Sequence, residues 1–350
     1  MKVAKKTRKY WQNRFLLIKE AQEKKDIKLY NEIIHEFKIT SRKIDDEINK
    51  WYGRFAVNNE ISFTEAKKML NNNELEEFHW TVKEYIKLGK ENAMNQQWMK
   101  ELENASAKVH ISRLQVLKFQ VQHHIEALYD KQLKDVDIHL RNTFEDTYYH
   151  TAYEIQCGLN LGWNLHQFSN EELSNVIFKP WTVDNKTFSD RIWVNKQDLI
   201  STLHREMTQS IIRGEGPKNI IAAVRELLGA EDKRKATYKA GRLVMTESAF
   251  FSSAAQQKCF NDLDVEKFEV VATLDNRTSE ICQDIDGDIF DIKDYEIGVT
   301  APPFHVWCRT TTVPYFEDNY TERAARGVDG KIYYVDGKLK YDEWKETFVI

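Results

Sequence analysis

Three residues near the carboxyl end of the sequence have the side chains and the spacing of a metal site. Two residues separate His305 from Cys308 in "HVWC", a spacing that lets both side chains turn onto one ion. Cys282 lies upstream and can reach the same ion across "DIDGDIF". With one further ligand these residues predict a tetrahedral zinc site. The candidates for that ligand are water and three aspartates, Asp275, Asp284 and Asp286.

A second interpretation of the same residues needs no metal. Free thiols are often small buried hydrophobic groups, and His305 can be satisfied by a hydrogen bond to a loop carbonyl. The nearby aspartates do not form a calcium loop, because such a loop has glycine at its sixth position and Gly287 comes fourth from Asp284. They predict a hairpin with Asp286 and Gly287 at the turn.

Polar residues that follow the predicted strand are expected to shape the same region. Asp275 can accept backbone N–H bonds and so orient the turn that contains Arg277 and Thr278. We expect Arg309 to pair with a nearby carboxylate. The two prolines of "APPFH" are expected to hold the loop extended, so that His305 points inward.

These residues give little reason to predict an enzyme. The sequence contains no Ser-His-Asp elbow, no glycine-rich phosphate loop and no HExxH zinc helix. We therefore predict a protein without catalytic activity. The alternative is a metal-dependent hydrolase built on the Cys/His/Asp cluster, with His305 or an aspartate as the base.

The composition indicates a helix-rich globular protein. The chain has 350 residues, of which 41% are hydrophobic and 30% charged, with 5 prolines and 13 glycines. No stretch approaches the ~18 continuous apolar residues of a membrane span, and no signal peptide is recognisable. The four cysteines are therefore expected to be reduced thiols or metal ligands.

The amino end is locally basic, although the formal net charge of -4 argues against a dedicated nucleic-acid binder. A solvated start of a helix explains this pattern. The alternative is an arm that contacts DNA phosphates with an affinity that falls as salt rises. The candidate contacts are Lys2, Lys5, Lys6, Arg8 and Lys9.

Apolar residues recur at three- and four-residue steps over most of the chain, which predicts helices. The adjacent His123 and His124 cannot face one ion from a helix, so we interpret them as surface residues or satisfied polar residues. The predicted helical segments are 26–56, one from "SFTEAKKML", one or two within 90–157, one after a Ser169–Glu172 capping box, one ending before Gly214, "PKNIIAAVRELLG" and 233–261.

The period changes to two in "FEVVATLD", which predicts a strand with one apolar face. "TTTVPYF" predicts a further extended segment, and the repeated "VDGK" near the end predicts a hairpin tail. We therefore predict a mainly α protein with a C-terminal α+β domain. An elongated helical bundle is followed by a compact domain with short antiparallel strands.

Two stretches, "ATLDNRTSEICQDIDGDIF" and "APPFHVWCRTTTVP", resemble the hallmark of phage minor head, or head morphogenesis, proteins with the Mu F-like domain. "RLVMTESAFFSSAA", with its Thr246–Glu247 pair, is similar to a helix of that family, and the resemblance covers about Asp190 to Pro314. Trp307 departs from it, because the family more often has a small polar residue such as Asn there. The matching motif residues are Asp275, Arg277, Thr278, Cys282, Asp286, Gly287, Pro302, Pro303, His305, Cys308 and Arg309.

The resemblance implies a protein of a tailed phage or prophage, present in few copies inside the capsid. It implies association with the portal protein, other head or scaffold proteins and packaged DNA, a role in head assembly or DNA delivery, and no enzymatic activity. The protein would pass through the host cytoplasm during assembly. The corresponding domains are a helical region at 1–165, a Mu F-like domain at 166–316 with its core at 190–314, and a β-hairpin tail at 317–350.

Overall fold

The computed structural model describes residues 7–159, 165, 167–229 and 235–316, together with the backbone of 322–326 and 332–336. The helices in these residues are α1 (Arg8–Phe55), α2 (Phe63–Ala66), α3 (Asn72–Glu91), α4 (Gln96–Ser106), α5 (Arg113–Leu159), α6 (Asn170–Ile177), α7 (Phe188–Ile212), α8 (Pro217–Leu228), α9 (Ala236–Asp262) and α10 (Glu280–Asp284). The strands are β1 (Lys267–Val271), β2 (Ile289–Asp291), β3 (Thr311–Tyr315), β4 (Glu322–Arg326) and β5 (Ile332–Asp336). The chain is 70% helical with a small antiparallel sheet near its carboxyl end, which confirms the predicted fold class.

Several helix ends follow the capping signals of the sequence. Ser169 Oγ accepts a hydrogen bond from Glu172 N at 3.2 Å, and Glu172 Oε2 accepts one from Ser169 N at 2.8 Å, so a complete capping box begins α6. Pro217 is the first residue of α8. Gly214, with a φ of 71°, lies just after α7, where the left-handed region favours glycine.

The stretch 90–157 contains no glycine or proline, and its sequence predicts one helix or two helices with a single break. In the structure the helical backbone is interrupted twice, between α3 and α4 and between α4 and α5. Between α3 and α4, Ala93 takes a φ of 47°. Asn95 Oδ1 then accepts hydrogen bonds from two backbone N–H groups in the first turn of α4, at 2.8 and 3.3 Å. A side-chain cap therefore begins a new helix where the composition shows no helix breaker.

The three-stranded sheet has the order β2-β1-β3, with antiparallel pairing throughout. Lys267 pairs with Asp291 of β2 and with Tyr315 of β3. The sequence predicts one apolar face for β1. Four of its five residues are buried, and Glu269, which lies on the opposite face, is among them. The Glu269 carboxylate can be buried because Arg8 forms an ion pair with it. A second pair of antiparallel strands, β4 and β5, lies in the predicted tail.

The segment "DIDGDIFDI" is not a hairpin, which corrects the sequence-based prediction. The residues before the turn belong to α10, and only β2 is a strand, paired with β1. Gly287 has a φ of 81°, and its N–H donates to Val270 O at 2.8 Å. The Asp286–Gly287 turn therefore joins a helix to a strand, because the Ser279 cap makes the preceding residues helical.

Contacts between residues divide the chain into two compact units. The first unit comprises Met1–Leu29, Asp137–Lys179 and Arg242–Ile350, and the second comprises Tyr30–Val136 and Pro180–Gly241. The division into domains that we made from the sequence stays a prediction.

Each unit has its own hydrophobic core. In the first unit, Trp11 and Phe15 of α1 belong to the same buried cluster as Phe268 of β1 and Val313 of β3. One buried cluster of the second unit contains Trp98 of α4 together with Phe78 and Val82 of α3. Burial of these apolar side chains is the main source of stability. Among the described helices, none combines the length and the apolar character that crossing a bilayer requires.

Candidate functional site

Two segments of the first unit bring Cys282, His305 and Cys308 together. Cys282 is the third residue of α10, and its N–H donates to the capping Ser279 Oγ at 3.4 Å. His305 and Cys308 lie in the loop between the 3₁₀ turn Ile292–Asp294 and β3. Because β2 and β3 both pair with β1, the sheet fixes the two ends of this loop.

The loop turns rather than running extended before His305. The Pro302–Pro303 peptide bond is cis, and both prolines are buried. Gly298 has a φ of 92° and its N–H donates to Ala301 O at 2.7 Å, which closes a turn just upstream. This corrects the expectation that the prolines hold the loop extended.

The three side chains form what we call the thiol–imidazole cluster, Cys282, His305 and Cys308. Cys282 Sγ lies 3.2 Å from His305 Nε2 and 3.8 Å from Cys308 Sγ. The two thiols are buried, whereas His305 is half-buried. All three candidate ligand atoms lie within 4.8 Å of one another, and no other group of three such residues does so in the part of the chain that the structure describes.

Hydrogen bonding sets the charge of the cluster. The pKa of Cys308 is held well below its usual range, mainly because Cys282 donates a hydrogen bond to its sulfur. Burial of Cys308 acts in the opposite direction. Further hydrogen bonds from His305 and from the backbone N–H groups of Phe304 and Thr310 also lower this pKa. The pKa of Cys282 is raised by the same bond and by burial. Hydrogen bonding to Cys308 raises the pKa of His305. Hydrogen bonding therefore favours the thiolate form at Cys308 rather than at Cys282.

Asp275 is not part of the cluster, which corrects its prediction as a metal ligand. Its two carboxylate oxygens accept hydrogen bonds from Nη1 and Nη2 of Arg309, both at 2.6 Å. Asp275 Oδ1 also accepts from Arg277 N at 2.8 Å, and Asp275 N donates to Thr278 Oγ1 at 3.0 Å. Although burial raises the pKa of Asp275, these bonds outweigh it and hold the pKa below its usual range. A carboxylate so engaged by arginine positions the loop instead of binding a metal.

The other aspartates considered as a fourth ligand also lie outside the cluster. Asp286 is buried, and its Oδ1 accepts a hydrogen bond from Ala272 N at 2.9 Å. It therefore fixes the chain just beyond β1. Asp284 is the last residue of α10. Within the described residues, the protein offers this site three ligands and no fourth.

Trp307, between His305 and Cys308, has a φ of 64°. This left-handed conformation is unfavourable for most residues that have a Cβ; Gly adopts it readily, and Asn tolerates it better than other residues do. We expect the variant Trp307→Gly to be more stable than Trp307→Ala by about 1 kcal/mol. Both variants lose the indole, but only alanine keeps the backbone strain. Urea unfolding of the two variants measures the difference, and equal midpoints would argue against strain at this position.

Arg8, at the basic amino end, is buried in an ion pair and is not available to contact DNA phosphates, which corrects the prediction for this residue. Arg8 is 8% exposed, and its Nε donates to Glu269 Oε2 at 3.0 Å. Its Nη2 bonds the other oxygen of the same carboxylate. The other candidates are Lys9, which is half-buried, and three residues that lie outside the described part of the chain, Lys2, Lys5 and Lys6.

A serine, a histidine and an aspartate also meet inside the first unit. His139 Nε2 lies 2.7 Å from Asp26 Oδ1 and 3.2 Å from Ser248 Oγ. A hydrolytic triad uses separate ring nitrogens for the serine and the aspartate, so that a proton can pass between them. Here one nitrogen contacts both groups, and Asp26 and Ser248 are buried. This group therefore ties α1, α5 and α9 together and does not act as a triad.

Sequence reasoning missed the groups that surround the cluster. Val306 O accepts a hydrogen bond from His305 Nδ1 at 2.7 Å, and the side chains of Ser279 and Thr310 hydrogen-bond Cys282. Main-chain groups leave no signal in a pattern of side chains. Ser279 could have been found, because a serine directly before a short helix is a common N-cap.

Residues 201–313 match the family model described as Phage Mu protein F like protein. This part of the chain is therefore a phage Mu F-like minor head protein domain, which confirms the resemblance seen in the sequence. The family is one of structural head proteins, and the matched range includes the thiol–imidazole cluster and the Asp275–Arg309 pair. No curated protein and no solved structure matches the chain.

Proposed function

We propose that the protein is a minor head protein of a tailed phage or prophage, bound to the portal inside the capsid and acting in head assembly or DNA delivery. The observation that carries the proposal is the phage Mu F-like domain at 201–313. The protein would be made in the host cytoplasm and enclosed in the virion.

Exposed aromatic side chains on the second unit support docking onto another head protein. Trp80 of α3 is 65% exposed and Trp193 of α7 is 47% exposed. Tryptophan is enriched at protein interfaces and contributes strongly to binding when a partner covers it. These two residues are therefore the first candidates for contact with the portal or with a scaffold protein.

The site geometry favours a structural role over the alternative of a metal-dependent hydrolase. A hydrolase needs a base beside the reacting water. Asp275, an aspartate that the sequence offers as a base, is paired with Arg309, and His305 Nε2 lies against Cys282 Sγ. Contact of the basic amino end with packaged DNA remains a separate proposal, which now depends on Lys2, Lys5, Lys6 and Lys9.

Co-purification with the portal protein tests the proposal. We expect the full chain, co-expressed with a tagged portal protein of the same phage, to be retained with it on an affinity column. Trp80→Ser and Trp193→Ser together are expected to weaken retention at least about tenfold, since losing a buried interface tryptophan costs about 2 kcal/mol or more. Val183→Ser, at another exposed apolar residue of the second unit, is the matched control. A wild-type chain that does not bind the portal would contradict portal association.

A further inference from the structure

We propose that Cys282, His305 and Cys308 bind one zinc ion, with water at the fourth coordination position in the free protein. The first support is the spacing of the sulfur atoms. Two thiolates at about 2.3 Å from a tetrahedral zinc ion are about 3.8 Å apart. Cys282 Sγ and Cys308 Sγ are 3.8 Å apart, and His305 Nε2 completes the same face of the tetrahedron.

The orientation of His305 is that of a metal ligand. Its Nδ1 lies 2.7 Å from Val306 O, and a carbonyl oxygen can only accept a hydrogen bond, so Nδ1 carries a proton. In the neutral ring the lone pair is therefore on Nε2, the atom that lies 3.2 Å from Cys282 Sγ. Metal-binding histidines commonly donate their other ring N–H to a carbonyl in this way, which fixes both tautomer and ring orientation.

The surroundings of Cys308 suit a thiolate that binds metal. The backbone N–H groups of Phe304 and Thr310 both hydrogen-bond its sulfur. Such bonds stabilise negative charge on a buried sulfur without supplying a competing ligand. Arg309, the next residue in the chain, is already paired with a carboxylate, because its Nη1 and Nη2 donate to Asp275 at 2.6 Å.

The ligand set selects zinc among the common divalent ions. Two thiolates and an imidazole are soft or borderline ligands, whereas Mg²⁺, Ca²⁺ and Mn²⁺ prefer carboxylate, carbonyl and water oxygens. No carboxylate belongs to the group within the described residues. His305 is half-buried and its neighbour Val306 is exposed, so water can reach the fourth position.

Zinc at this position would link α10 to the loop before β3. Thiol and imidazole ligands bind zinc only without their protons, so binding releases any protons that these groups still carry and strengthens as the pH rises. Because the unfolded chain does not hold the three ligands together, the binding free energy adds to the stability of the folded first unit.

The test measures metal in the full-length protein. The chain is purified under reducing conditions, saturated with zinc and freed of loose metal by gel filtration. We expect about one zinc per chain by elemental analysis. Co²⁺ in place of zinc should give the visible bands of a tetrahedral site together with a thiolate charge-transfer band. Cys282→Ser is expected to weaken zinc binding more than about 100-fold, whereas Cys157→Ser, at an exposed cysteine of the same unit, should leave it unchanged.

A second measurement uses only the wild-type protein, so that it remains informative if the Cys282→Ser variant does not fold. Removing zinc with a chelator should lower the thermal midpoint, and adding zinc, but not Mg²⁺, should restore it. Zinc far below one per chain, a Co²⁺ spectrum without the thiolate band, or equal zinc in Cys282→Ser and wild type would overturn the proposal. A Cys282–Cys308 disulfide in protein purified under reductant would do so as well.

Discussion

Replacing Arg8 with methionine is expected to destabilise the first unit by about 3–5 kcal/mol, the usual cost of leaving a buried charge without its partner. The side chains of Arg8 and Glu269 are 9% and 1% exposed, and the carboxylate would remain in the interior. Gln12 Nε2, which donates to Glu269 Oε1 at 3.2 Å, is neutral and cannot replace the lost charge. Urea unfolding followed by circular dichroism measures the change.

The double variant Arg8→Met with Glu269→Met separates a missing partner from a general loss of packing. Replacing both members of a buried ion pair by apolar residues is often nearly neutral. We therefore expect the double variant to recover most of the lost stability. Lys9→Met, which removes the same charge from a half-buried neighbour, is the matched control and should cost much less. A loss below about 1 kcal/mol for Arg8→Met would mean that the pair behaves like a surface salt bridge.

The stability of the second unit is expected to fall as the pH drops below about 6.5, because of His123. This residue is 6% exposed, stacks on Tyr85 with ring centroids 3.6 Å apart, and accepts a hydrogen bond from Trp98 Nε1 at 3.2 Å. Burial lowers the pKa of His123 from 6.5 to about 3. Between these values the unfolded chain binds a proton that the folded chain does not, so acid favours unfolding by about 1.4 kcal/mol per pH unit.

The variant His123→Gln is expected to flatten this dependence. A glutamine carbonyl can still accept the hydrogen bond from Trp98 Nε1, but the side chain does not titrate. Urea midpoints at several pH values between 7 and about 4 would give the slope for each protein. His110→Gln, at an exposed histidine, is the control and should keep the wild-type slope. If His123→Gln lost stability with acid as steeply as the wild type, a different group would have to be responsible.

The features that the sequence predicts well are local ones. The capping box of Ser169 and Glu172, the proline that begins α8 and the glycine after α7 depend only on neighbours in the chain. The three residues of the thiol–imidazole cluster are also recognisable as a group, because two of them lie close in sequence and all three are of types that bind the same ion. The fold class follows from the change of apolar period near residue 268.

The features that the sequence does not predict depend on distant partners. Glu269 alternates with apolar neighbours and therefore suggests a solvated face, yet its partner Arg8 lies 261 residues away. Asp275 is a second example, because its residue type alone suggests a metal ligand. In the fold, both of its carboxylate oxygens accept hydrogen bonds from Arg309, which lies 34 residues further along the chain. A pattern of residue types shows which groups can ionise, but only the fold shows which opposite charge they meet.

Contacts between residues that are distant in the sequence also determine which segments of the chain make up the first unit. Trp11 and Phe15, near the start of α1, share a core with Phe268 and Val313. Residues 201–313 that match the family model therefore pack against a segment from the amino end. A chain cut down to the matched range would expose this core, so experiments on the Mu F-like domain should keep the full chain.

The protein content of purified phage heads shows whether this protein is a component of the head. Heads from an induced prophage or an infected culture that encodes this chain would be separated from free protein on a density gradient and quantified by mass spectrometry. We expect this protein in the head fraction, at few copies relative to the major capsid protein, and protected from added protease until the heads are opened. A protein found only in the free fraction, or digested on intact heads, would contradict a place inside the capsid.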